Sequence, residues 1–295
     1  MKVFLTGGTG FVGQEVQRQL LQKGHQVRLL CHSQKQTAEN PDVEIIQGDT
    51  TLAESLQAAL QGCDVVINLV GIIREFPGRN ITFERLHTET TRNLLHAAKV
   101  QGVSRFLQMS ANGTRSDAIT GYHKTKWAAE QLVRESGLDW TIFRPSLIFG
   151  KDDMFVNMLA GLIRKLPVVP VMGDGKYRLQ PVAVTDVAAG FVNALDTPET
   201  SGKTYHCGGP EAYSYNQILD LIGATLGKKS VCKIHQPLLL MKPVVSVMQS
   251  LPQFPMTSDQ LQMLLEENIC DPAEWQKDLQ LELTDFKEGI SQYLT

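Results

Sequence analysis

Tyr122 and Lys126 stand four residues apart, a spacing that places both side chains on one face of a helix. A phenol beside an ammonium can work as an acid–base pair. The cation is expected to lower the phenol from its ordinary pKa of about 10, and the same ammonium can bind a ribose. Ser110 ends an apolar run upstream, and its hydroxyl is suited to holding a substrate oxygen while Tyr122 gives or takes a proton. Such a relay serves hydride transfer to or from a nicotinamide ring. A tyrosine and a lysine alone more often mean packing and a solvated charge, so the reading depends on what accompanies them.

What accompanies them is a glycine turn, Thr6-Gly7-Gly8-Thr9-Gly10-Phe11-Val12-Gly13. It lies between an apolar run and an amphipathic helix. The chain there must turn sharply, bring backbone close to a pyrophosphate and seat a helix tightly on a sheet, and glycine permits all three. The helix N-terminus then offers unpaired N–H groups to phosphates. Gly7, Thr9, Gly10, Phe11, Val12 and Gly13 are therefore candidate cofactor-binding residues. The second strand ends in Leu30-Cys31-His32-Ser33, without the acid that grips the ribose 2′-hydroxyl of NAD. His32, Ser33 and Lys35 can instead receive a 2′-phosphate, which makes NADP the first choice of cofactor and NAD the second. After the third strand, Asp49 and Thr50 either reach the adenine or only start the next helix. Leu69, Val70 and Gly71 close the fourth strand, where Gly71 lets backbone pass near the cofactor.

The elements that would position these residues alternate strictly. Strands are expected at Lys2–Thr6, 26–30, Val43–Gln47, 65–70, 106–110 and 140–144. Helices are expected after the glycine turn, from Thr51, over 82–100 and over 122–136. Thr51 and Glu54 form the pattern of a capping box. This rhythm implies an α/β fold, a Rossmann-type doubly wound parallel sheet with ligands at the carboxyl ends of its strands. Residues 1–150 are read as the dinucleotide-binding domain, with 182–207 returning to it. Residues 151–181 and 208–295 are read as a small C-terminal α/β substrate or partner domain.

Composition narrows the classes. Net charge is −3, which supplies no positive field for nucleic acid. The five cysteines are dispersed, as suits reduced thiols in a cytoplasmic compartment, and no metal-binding spacing is present. The chain opens directly into a strand, so no cleaved signal is expected, and no apolar run is long enough to span a bilayer.

The TGGTGFVG turn, Ser110, Tyr122-His-Lys-Thr-Lys126 and Arg144-Pro145-Ser146 together resemble the extended and atypical short-chain dehydrogenase/reductases. Gly173-Asp-Gly-Lys-Tyr-Arg-Leu-Gln-Pro-Val182, Thr185-Asp186-Val187-Ala188 and 255–261 are similar to the branch containing the nucleotide-binding accessory subunit of mitochondrial complex I and its bacterial relatives. The resemblance implies a Rossmann domain with a smaller substrate domain. It also implies that Tyr122 and Lys126 are the YxxxK pair, that Ser110 is the family serine and that Pro145 lies against the nicotinamide. His87 stands where extended members often carry an Asn; it is read as a neutral histidine packed under the sheet.

Two functional classes follow. One is an NAD(P)-dependent oxidoreductase, or an epimerase or dehydratase using the same hydride chemistry. The other is a module that holds NADPH for stability or sensing. No arginine follows Arg178, which counts against a nucleotide-sugar substrate and favours a small apolar or quinone-like one. The stretch 234–256 is apolar, methionine-bearing and interrupted by prolines. Its plain reading is a helix packed on the smaller domain; the other is a surface facing a membrane or a respiratory-complex, quinone-pathway partner.

Overall fold

The computed structural model describes residues 1–32, 40–249 and 256–294. The chain forms two compact units, the first comprising Met1–Pro145, Thr185–His206 and Ala273–Leu281.

The first unit is built on a seven-stranded sheet. Its strands are β1 (Lys2–Thr6), β2 (Gln26–Cys31), β3 (Val43–Gln47), β4 (Val65–Asn68), β5 (Arg105–Met109), β6 (Asp139–Pro145) and the strand Lys203–Cys207. The spatial order runs from Lys203–Cys207 through β6, β5, β4, β1 and β2 to β3. The strands β1 to β6 pair in parallel, as the alternation predicts. The connecting helices are α1 (Phe11–Gln22), α2 (Ala53–Leu60), α3 (Thr90–Gln101) and α4 (Gly121–Arg134). Continuous apolar runs fill the centre: Phe4, Val66 and Phe106 from the sheet meet Leu56, Leu94 and Val133 from the helices, all fully buried. The helix Ala273–Asp278 also belongs to this unit. Trp275 is fully buried and its ring lies 3.0 Å from where a side chain on Gly190 would begin.

Three local expectations are corrected. There is no capping box at Thr51: α2 starts at Ala53 without a side-chain cap, because the Thr51 hydroxyl donates to Asp49 at 2.8 Å instead. β4 stops at Asn68 rather than continuing to Val70, since the Asn68 side-chain oxygen takes the Val70 N–H at 3.2 Å and turns the chain. The helix expected over 82–100 is not one regular α-helix. Glu84–Glu89 is a π-helical turn leading into α3. The Thr90 and Thr91 hydroxyls donate to the carbonyls of Arg85 and His87, at 3.2 and 2.7 Å, in competition with the regular ladder.

The second unit comprises Ser146–Val184, Cys207–Pro272 and Glu282–Thr295. Helices Met154–Lys165, Tyr215–Thr225 and Phe286–Ser291 enclose a core that includes Phe149, Val156, Ile218 and Phe286. Capping boxes open the helices Tyr215–Thr225 and Ser258–Leu265. The strand Lys233–Gln236 pairs in parallel with Val169–Met172. It leads into the helix Leu238–Met248, of which only Val245 is buried. Within 234–256, of which 250–255 lie outside the described residues, the plain expectation of a helix sunk into the core therefore holds for one face alone.

Candidate active site

The glycine turn is shaped by contacts that no other residue allows. Gly7 adopts φ +72°, and a Cβ there would fall 2.8 Å from the Leu69 carbonyl carbon. A Cβ on Gly13 would sit 2.2 Å from the Gly7 oxygen and 2.4 Å from Gly8 Cα, so α1 lies directly on the turn. Gly10 N-caps α1 with no side-chain cap. Thr9 and Gly10 are exposed, Phe11 is half-buried and Val12 is buried. The first amides of α1 are thus left without side-chain acceptors at an open surface, the arrangement that receives a pyrophosphate. The residues present fit a nicotinamide dinucleotide.

At the end of β2, His32 is exposed, while Ser33 and Lys35 lie outside the described residues. Asp49 accepts the Thr51 N–H and hydroxyl on a single oxygen, both at 2.8 Å, so it does organise the start of α2. Thr50 is buried, with its hydroxyl 3.1 Å from that of Thr90. Leu69 is buried, Val70 half-buried and Gly71 exposed.

A buried polar ladder runs beneath these loops, and sequence reasoning missed it. Thr6 donates to the Asn68 oxygen at 2.9 Å, and the Asn68 amide donates to Gln108 at 3.0 Å. The three residues are register partners on β1, β4 and β5. The signal was available, because each is a polar residue at or near the end of an otherwise apolar strand run.

Tyr122 and Lys126 both lie buried on α4, at 9% and 2% exposure. Lys126 Nζ donates to the Met109 carbonyl at 3.1 Å, and it lies 3.0 Å from where a Cβ on Gly71 would project. The helix, the end of β5 and the end of β4 therefore converge on this ammonium. Burial lowers Lys126 to about 8, against the opposing charge of Glu130. Glu130 is fully buried and pairs with Arg134 at 2.9 Å and Arg144 at 2.6 Å; its i,i+4 spacing to Arg134 was a legible signal. Tyr122 departs from expectation: desolvation pushes its phenol up to about 12, opposite to the lowering the spacing suggested. Ser110 is buried directly after β5 and its hydroxyl donates to Thr114 at 3.4 Å. Pro145 is buried at the end of β6, where its carbonyl accepts the Asn112 N–H at 2.8 Å.

His87 sits in the π-turn and is 1% exposed. Its Nε2 accepts the Ile72 N–H at 3.2 Å, which leaves Nδ1 to carry the proton and donate to Thr125 Oγ1 at 2.9 Å. Burial, and next the charge of Lys126, lower its pKa to about 2. It is thus a neutral, packed histidine, edge-on to the Tyr122 ring at 5.3 Å.

Comparison with known proteins agrees with this architecture. Residues 7–198 match a family model described as NAD(P)H-binding, and residues 114–288 match one described as the RmlD substrate binding domain. The chain is 31% identical over 225 residues to the NADH dehydrogenase [ubiquinone] 1 alpha subcomplex subunit 9 of Arabidopsis thaliana mitochondria, covering 73% of this chain and 56% of that protein. It is 29% identical over 227 residues to a 3-beta-hydroxysteroid dehydrogenase of Mycolicibacterium neoaurum, covering 66% of this chain and 61% of the relative. The chain thus spans little more than half the length of these curated relatives. Among solved structures, UDP-glucose 4-epimerase from Thermotoga maritima superposes with a TM-score of 0.78 at 19% identity, covering 100% of this chain and 97% of that one. That likeness concerns the fold. No helix among the described residues is long and apolar enough to cross a membrane.

Proposed function

The chain belongs to the NAD(P)H-binding family, and we propose that it is an NADP(H)-preferring oxidoreductase that reduces a small, apolar, quinone-like carbonyl compound. The observation that carries this reading is the burial of Tyr122 and Lys126 on α4, with the Lys126 ammonium fixed at the end of β5 beside Gly71. The missing acid after β2 and the exposed His32 support NADP over NAD.

When bound, the reduced nicotinamide supplies the hydride. Lys126 keeps one N–H on Met109, and its others would hold the ribose hydroxyls of the bound cofactor. Tyr122, held protonated by burial, hands its proton to the carbonyl oxygen as negative charge develops there, and Ser110 holds the same oxygen. The phenol is thus in the protonated form that a general acid must have at neutral pH. Lys126 and the buried Glu130 set the local field, and water entering the cleft restores the Tyr122 proton.

A second reading is a module that holds NADPH within a respiratory assembly. It is supported by the names of the mitochondrial relatives and by the phenol, whose raised pKa has burial as its cause. An epimerase or dehydratase acting on a nucleotide sugar has less support, because no arginine follows Arg178. The experiment is a panel of quinones, aldehydes and ketones assayed for NADPH oxidation, with calorimetric titration of NADPH and NADH alongside. Turnover with a panel member, and NADPH bound at least about tenfold tighter, a difference of about 1.4 kcal/mol, support the first reading. Tight NADPH binding without turnover supports the second, and tighter NADH binding removes the cofactor assignment.

A further inference from the structure

The π-helical turn Glu84–Glu89 interrupts the entry to α3, and such interruptions recur at functional sites. Arg85 and His87 stand two positions apart on it, so their side chains leave on opposite sides. Each reaches a different loop at the carboxyl ends of the strands.

Arg85 acts as a fork between two loops. Its Nη1 donates to the Asn80 carbonyl and its Nη2 to Thr51 Oγ1, both at 2.9 Å. The Thr51 hydroxyl donates onward to Asp49 at 2.8 Å. The direction of this chain is fixed, because a guanidinium can only donate. Beside it the Thr90 hydroxyl lies 3.1 Å from that of Thr50, and the Asn93 amide donates to the Thr50 carbonyl at 3.1 Å. Three side chains from the π-turn and α3 therefore hold the loop that follows β3.

His87 is bonded at both ring nitrogens, to the Ile72 N–H at 3.2 Å and to Thr125 Oγ1 at 2.9 Å. Its Nε2 lies 3.6 Å from where a Cβ on Gly71 would begin, and Lys126 Nζ lies 3.0 Å from the same point. His87 thus holds the Gly71–Ile72 backbone against the ammonium. The segment 71–82 is pinned near both ends, by His87 at Ile72 and by Arg85 at Asn80. Between those points it folds back on itself, with Phe76 and Ile81 exchanging backbone bonds at 2.8 and 3.3 Å.

We propose that Arg85 and His87 are positioning residues for the two halves of the dinucleotide. Arg85 fixes the loop after β3 for the adenine half, and His87 fixes Gly71–Ile72 for the nicotinamide half. The proposal rests on the cofactor reading given above.

The test is calorimetric titration of the full chain with NADPH and with its adenine half, 2′,5′-ADP. NADH and ADP take their places where NADH binds tighter. Arg85→Met should weaken both ligands at least about fivefold, through loss of a charge-assisted hydrogen bond. Thr51→Val cuts the same link, so it should weaken both and add little to Arg85→Met in the double variant. His87→Leu should weaken NADPH at least about fivefold and leave 2′,5′-ADP within about twofold. His87→Gln, which can accept from Ile72 and donate to Thr125, should restore NADPH binding. A role in folding alone would weaken both ligands alike in every variant, in step with the melting temperature, and that result overturns the proposal. Parental affinities in Arg85→Met and His87→Leu overturn it too, as does a parent that binds NADPH but not 2′,5′-ADP. Additive losses in Arg85→Met/Thr51→Val remove the role given to Arg85. A parent that binds neither dinucleotide removes the cofactor reading itself, so the two failures are told apart.

Discussion

The Lys126 ammonium donates to the carbonyl of Met109 3.1 Å away, tying the face of α4 that carries Tyr122 to the last residue of β5. This bond fixes a cation in a buried place, and burial holds its pKa down to about 8 against 10.5 for the ordinary side chain. Between those values the unfolded chain binds more protons at this position than the folded one, so stability rises with pH across the window. Tyr122 acts in the opposite sense: raised from 10.0 to about 12, it loses its stabilising contribution as pH rises through that range. Thermal melts from pH 8 to 10 should therefore show the parent gaining stability relative to Lys126→Met. Parallel curves would mean that the lysine keeps its ordinary pKa in the folded protein.

His87 gives an acid-side counterpart. Its folded pKa of about 2 lies below the ordinary 6.5, so the unfolded chain takes up a proton first and stability falls as pH drops below 6.5. At about 1.36 kcal/mol per pH unit, the parent should lose roughly 2–3 kcal/mol by pH 4.5 that His87→Gln does not lose. Glutamine can still accept from Ile72 and donate to Thr125. Denaturant midpoints at several pH values measure the difference, and identical pH profiles would show that His87 titrates normally.

Gly13 and Gly161 should respond oppositely to the same substitution. A Cβ on Gly13 meets backbone atoms at 2.2 and 2.4 Å, whereas nothing lies within 4 Å of one on Gly161. Gly13→Ala must push α1 off the glycine turn, and should abolish cofactor binding and lower stability. Gly161→Ala, in the helix Met154–Lys165, should gain about 0.5–1 kcal/mol from reduced backbone freedom. Calorimetry and melting curves check both.

Most of the first unit was legible because its strands are apolar runs punctuated by glycines, and β1 and β3 have the bounds their residues suggest. What escaped were features decided by tertiary competition. Thr51 beside Glu54 looks like a cap, but Asp49 claims the Thr51 hydroxyl. The apolar period through 82–100 cannot reveal the π-turn, which depends on hydroxyl bonds from Thr90 and Thr91. The Tyr122–Lys126 spacing was readable, but the raised phenol pKa was not, because desolvation depends on how deeply α4 is buried. The helix Leu238–Met248 was legible as apolar, yet periodicity could not say that one of its apolar faces would meet solvent.

The central claim is that the Tyr122 hydroxyl donates a proton during reduction. Tyr122→Phe removes one oxygen and retains the ring that packs edge-on against His87 and Phe83. NADPH affinity should change by no more than about 1 kcal/mol, the usual net worth of one hydrogen bond. With a carbonyl or quinone substrate found in the panel, steady-state turnover by Tyr122→Phe should fall at least roughly a hundredfold, as removal of a general acid does. Parental turnover by Tyr122→Phe at unchanged cofactor affinity would contradict the account.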